Sequence, residues 1–126
     1  MINFGEIFFC EKVILNPDGS PREFINRISG VKSEVYPYLF ECTVVINFTH
    51  REPLNHLLTV RFKNSDAVTI FESAPQPLRS NRPTRPNQEI GVMASLHDVE
   101  IPKPGSYDVE IRLNDIVKHK EHLYFT

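Results

Sequence analysis

From Tyr107 to Leu113 the chain alternates without a break. Tyr107, Val109, Ile111 and Leu113 are apolar, and the residues between them, Asp108, Glu110 and Arg112, are charged. A strand turns successive side chains to opposite faces, so a period of two specifies a strand with one buried face. The same rule recurs at Cys42, Val44, Ile46 and Phe48, at Leu58, Val60 and Phe62, and at Ile90, Val92, Ala94 and Leu96. Val68 and Ile70 form a shorter piece behind the polar KNSD turn. Asn114 and Asp115 both tolerate left-handed backbone, so they turn the chain into a last strand with Leu123 and Phe125 inward. Turn formers separate other runs, NPDGSP at 16–21 and KPG at 103–105. The pattern predicts an all-β protein, a single-domain sandwich over residues 1–126 with about seven or eight strands.

Length and composition set the outer bounds. A chain of 126 residues is one ordinary domain, with a core large enough to need no metal or disulfide staple. Hydrophobic residues at 40% and charged residues at 24% exclude wholesale disorder. The net charge of −2 gives no global attraction to nucleic acid or a membrane. The longest apolar run, Ile7 to Cys10, is far short of the roughly 20 residues a spanning helix needs. The opening MINFGEIFFCEK has no basic leader and places Glu6 before its apolar run, so no signal peptide is expected. Cys10 and Cys42 then read as free thiols of a cytoplasmic protein.

The stretch SAPQPLRSNRPTRPNQ, 73–88, differs in kind. It carries Pro75, Pro77, Pro83 and Pro86 and no acidic residue, and it is too long for a hairpin turn. Its prolines favour polyproline II, in which residues three apart share an edge at about 9 Å per step. Arg79, Arg82 and Arg85 have that spacing. A row of guanidiniums suits carboxylates or phosphates, because each fork grips two oxygens. This makes the three arginines the candidate binding residues, facing an acidic protein surface or a phosphate-bearing ligand. The competing reading is a solvated loop kept soluble by its charge. The stretch lacks aromatic residues for base stacking, which argues against single-stranded nucleic acid.

Chemistry is harder to find. His119 and His122 are three apart, which on a strand places them on opposite faces, and neither cysteine has a partner at zinc spacing. No cofactor or metal is expected. Cys42 lies in an alternating strand, Cys10 follows an apolar run, and both read as core. Ser95 is followed by Leu96, His97 and Asp98, and sequence neighbours on a strand point apart. Glu41, Asp108 and Glu110 share an outer face with Arg61 and Arg112 in this reading, which gives cross-strand ion pairs in place of catalytic carboxylates. The expectation is a non-enzymatic binding domain. The alternative is a small enzyme or ligand-binding domain with a pocket near FTHREPLNH, 48–56, built on His50, Arg51, Glu52 and His56. Open sheet edges also allow pairing with a second copy.

Two resemblances add to this reading. Pro104–Gly105 followed by Tyr107, Val109 and Ile111 resembles the approach to a late strand in immunoglobulin-like Greek-key sandwiches. There a tyrosine hydrogen-bonds back to nearby backbone, and Tyr107 stands at that place. Val109 stands where antibody domains carry their second cysteine, and the chain has no tryptophan, so the likeness is to the architecture alone. CEKVILNPDGSPREFINRISG and LHDVEIPKPGSYDVEIRLNDIV together resemble a family of uncharacterised bacterial domains. That family implies a β-sandwich, no known activity and no catalytic residues. It also implies a strand at 22–29. Local signals there favour helical turns, since Ser20, Pro21 and Glu23 stand at cap, first-turn and capping-box positions.

Overall fold

The computed structural model describes residues 2–50, 54–80 and 89–126. Among these residues there is no helix, and ten strands form: β1 (Ile2–Leu15), β2 (Pro21–Ile28), β3 (Gly30–Val31), β4 (Tyr38–His50), β5 (Leu54–Lys63), β6 (Thr69–Glu72), β7 (Gln76–Ser80), β8 (Ile90–Ile101), β9 (Gly105–Leu113) and β10 (Ile116–Phe125). The short strands β3, β6 and β7 account for the excess over seven. Two sheets result. One has four strands in the order β2-β1-β4-β8. The other runs β3-β10-β9-β5-β6, with β7 also on β5.

The alternating residues of the sequence fill the space between the sheets. Cys42, Val44, Ile46 and Phe48 of β4 and Leu96 of β8 meet Leu58, Val60 and Phe62 of β5 and Val109, Ile111 and Leu113 of β9 in one buried cluster. Phe40 and Phe125, one from each sheet, pack edge to face at 5.2 Å. Cys10 and Cys42 are buried free thiols.

Residues 21–28 form a strand, as the family resemblance implies and the cap signals do not. Pairing with β1 decides it: Val13 faces Phe24 and Phe9 faces Ile28. Pro21 sits at the first strand residue, where its missing N–H costs least.

Two local devices fix the β9–β10 hairpin and the loop before it. Asn114 and Asp115 take positive φ, 50° and 64°, between the paired Leu113 and Ile116. Asn114 N–H donates to the Leu57 carbonyl and its Oδ1 accepts from Leu57 N–H, both at 2.9 Å. Asn114 therefore turns the chain and ties the turn to β5. Asn114→Ala should cost about 1–2 kcal/mol in urea unfolding, from the left-handed φ and the lost acceptor together. Asn114→Gly keeps the backbone freedom and should cost less; equal losses would mean the φ is irrelevant. Tyr107 is buried, and its hydroxyl donates to the Lys103 carbonyl at 2.6 Å. Tyr107→Phe removes only that bond and should lower stability by about 1 kcal/mol, with unchanged far-UV circular dichroism. No loss would show that water replaces the phenol at Lys103.

Candidate functional site

The four-stranded sheet does not stay closed along its length. β1 pairs with β4 from Ile2↔His50 to Cys10↔Thr43, and the register ends there. Beyond that point β1 follows β2 alone, through Lys12↔Ile25 to Leu15↔Pro21. β4 follows β8 alone, from Tyr38↔Ile101 to Cys42↔Leu96. The sheet divides like a fork, with the Cys10 thiol donating to the Thr43 carbonyl at 3.7 Å where the prongs part. A cleft of about 930 Å³ opens between them. Glu11, Lys12, Val13 and Leu15 line one wall, and Leu39, Glu41 and Thr43 line the other. Ile28, Gly30, Val31 and Lys32 contribute from the segment that crosses to β3. That segment is held by the Thr126 carbonyl, which accepts from Ser33 N–H and from the Tyr36 hydroxyl, each at 3.0 Å.

The cleft meets solvent through leucines and through the exposed charged side chains of Glu11, Lys12, Lys32 and Glu41. Leu39 is 61% and Leu15 50% exposed. Its mouth continues onto the outer face of the sheet, where Phe8, Cys10 and Val45 form a second cluster with Val13 and Met93. Phe24 closes on Phe8 edge to face at 5.1 Å, and Arg27 lies over the Phe8 ring at 4.2 Å while pairing with Glu6. Burial pushes the Cys42 thiol up to about 12, with Cys10 nearby adding to the shift. Burial also raises the Cys10 thiol, against the pull of Arg27. Neither is a ready nucleophile, because the thiolate is the reactive form.

The residues singled out by sequence fall elsewhere. Arg79 is exposed on β7, opposite Asn55 of β5. Its backbone is therefore strand and not the polyproline II expected of 73–88. Pro77 is tolerated because β7 is a short edge strand. Arg82 and Arg85 lie outside the described residues, as do Arg51 and Glu52. His50 is buried beside Phe48, with ring centroids 6.1 Å apart, and His56 is half-buried. His119 is half-buried beside Glu121 at 2.8 Å, while His122 is exposed beside Asp108 at 2.7 Å. They occupy opposite faces as expected. Glu110 is buried between Lys63 at 3.4 Å and Arg112 at 3.1 Å, and Arg61 pairs with Glu72. These are ion pairs across and along the sheet. Glu41 does not join them: it stands in the other sheet, 3.8 Å from His97.

The cleft was not found from sequence, because it is made by a register that stops. A trace of it is visible. Leu39 and Leu15 put large apolar side chains in exposed strand positions.

Fold and site define a two-sheet, all-β domain with a divided sheet. The chain belongs to a family of unknown function, DUF6941, which it matches over residues 8–126. The comparison with curated proteins finds no match. Among solved structures, one similar chain is the Pseudomonas fluorescens alkylpurine DNA glycosylase AlkC bound to DNA containing an abasic site analog, with 9% identity and a TM-score of 0.47. The match covers 95% of this chain and 30% of that one.

Proposed function

We propose that this chain is a non-enzymatic binding domain whose working surface is the cleft of the divided sheet. One observation carries the reading: a 930 Å³ cleft walled by exposed leucines lies between two strand stretches that have no neighbour on its side among the described residues. The volume falls in the range of about 300–1,000 Å³ usual for ligand sites. The histidines with described ion-pair partners, His97, His119 and His122, each face a carboxylate, which suits surface pairing better than proton transfer. The Tyr107 hydrogen bond to Lys103 supports an immunoglobulin-like Greek-key reading of the sandwich. The free thiols support a reducing, cytoplasmic setting.

A second reading keeps the arginines as the contact with an acidic or phosphate-bearing partner, and the exposure of Arg79 favours it. Arg79 lies on β7, opposite Asn55, whereas the cleft is walled mainly by β1 and β4 of the other sheet. The chain leaves β7 at Ser80 and returns before Ile90, which pairs with Phe48, whereas the cleft lies toward the Tyr38↔Ile101 end. Paired pull-downs from host lysate separate them. The baits are the wild type, Leu39→Glu, and the triple change of Arg79, Arg82 and Arg85 to Glu. A partner lost with Leu39→Glu and kept by the triple variant is the expected result. Loss with the triple variant alone overturns the cleft reading in favour of the arginines. Identical eluates overturn both.

A further inference from the structure

We infer that copies of this chain stack face to back, with the outer face of the four-stranded sheet of one copy on the outer face of the six-stranded sheet of the next. This contact is separate from the cleft and uses other side chains.

Charge divides the molecule by sheet. The space between the sheets is filled by apolar residues, so the strands carry their charges on outer faces and edges. The strands of the four-stranded sheet hold six carboxylates and three cations, a formal −3. Those of the six-stranded sheet hold six cations and four carboxylates, a formal +2. The flanking turns leave the difference intact, since Asp18 and Glu89 adjoin the first sheet and Asp66 and Asp115 the second. A chain of net charge −2 is thus built from an acidic layer and a layer five charges more positive.

The unpaired charges follow the same division. Lys118 and Lys120 on β10 are exposed and have no ion-pair partner among the described residues. Lys120 stands opposite Glu110, and Glu110 opposite Arg61, so all three share the outer face. On the acidic layer, Glu100 is exposed between the buried Val99 and Ile101, and Glu89 is exposed just before β8. Neither has an ion-pair partner among the described residues. Two acidic faces repel each other, whereas an acidic face attracts the lysines of the other sheet. Charge therefore favours face to back over a two-fold pairing of acidic faces. Each copy carries both faces, so the contact is heterologous and repeats from copy to copy.

The area suffices for a reversible contact. Four strands about 4.8 Å apart and about ten residues long present roughly 600 Å², so two faces together bury about 1,200 Å², the lower end of specific interfaces. Phe24, 40% exposed on β2, gives the acidic layer an apolar contact, and Leu57 of β5 with Val117 and Tyr124 of β10 give the other layer theirs.

Sedimentation velocity of the whole chain, from micromolar to millimolar concentration, tests this. Mean mass should rise with concentration at about 0.01 M salt and fall to that of one chain at about 1 M, where the screening length is about 3 Å. Lys118→Glu with Lys120→Glu spoils one face, and Glu89→Lys with Glu100→Lys spoils the other. Each double variant alone should associate roughly tenfold or more weakly. Each also keeps one native face, so an equimolar mixture should re-form a dimer. Lys32→Glu with Lys103→Glu adds the same negative charge between strands and should retain association. All six residues are exposed and outside ion pairs, so the variants keep the fold. A wild type that stays a single chain at low salt overturns the inference, as does association that salt leaves unchanged. Failure of the mixture to associate overturns it as well. Equal loss with the Lys32 and Lys103 variant would reduce the effect to net charge, with the same consequence. The cleft reading stands or falls separately, on Leu39→Glu in the lysate.

Discussion

Replacing Phe125 with alanine should lower the unfolding free energy by about 3–5 kcal/mol, the usual loss for a large aromatic in a packed core. Phe125 is 1% exposed and ends β10, yet it is the residue where the sheets meet. Its ring lies edge to face on Tyr107 of β9 at 5.4 Å and on Phe40 of β4 at 5.2 Å, with Tyr38 at 6.5 Å. Removing it strips the transfer energy of the ring and the edge-to-face pairs, and it leaves a cavity beneath Tyr107. Collapse is resisted because Tyr107 is anchored through its hydroxyl to Lys103 and cannot follow. For a chain of this size the loss corresponds to a fall in Tm of roughly 10–20 °C. Ile116→Ala is the control: Ile116 is 58% exposed on the same strand and should change stability by less than about 0.5 kcal/mol. Similar midpoints for the two variants in urea would mean that the aromatic cluster does not join the sheets.

How much of this was readable in the sequence depends on the range of the signal. The strands β4, β5, β8 and β9 announce themselves by alternation, because burial of one face acts residue by residue along a single strand. The Asn114–Asp115 turn and the Tyr107 corner are equally local, and both took the geometry their chemistry allows. The segment 21–28 shows where local signals mislead. Its cap-like start was overridden by pairing with β1, which supplies a full ladder where an isolated helix of two turns supplies almost nothing. β7 repeats the lesson with prolines: Pro77 faces Leu57 at a sheet edge, so a sequence suited to polyproline II became a strand. The cleft was illegible for a stronger reason. Whether β1 stays beside β4 after Cys10 depends on residues about 30 apart in sequence, and no single-strand periodicity records it.

The second large effect should appear at alkaline pH. Burial holds the Cys42 thiol at about 12, against 9.0 for the unburied group. The sign follows from proton counting. Below pH 9 both states keep the proton, and the thiol contributes no pH dependence. Between about 9 and 12 the unfolded chain releases its proton while the folded one retains it, so unfolding gains free energy as pH rises and stability falls. The slope is about 1.4 kcal/mol per pH unit, or roughly 3 kcal/mol between pH 9 and 11. Cys10 shifts in the same direction and steepens the loss. Lysines and tyrosines also titrate here, so the measurement is the difference between the wild type and Cys42→Ala, by urea unfolding at steps from pH 8 to 11. The variant starts below the wild type, because a small cavity replaces the sulfur. Its disadvantage should shrink and then reverse as the wild type loses the contribution of a buried neutral thiol. Parallel curves across that window would mean that Cys42 ionises in the folded protein as readily as in the unfolded chain. The inner wall of the cleft at Cys42 would then be open to water.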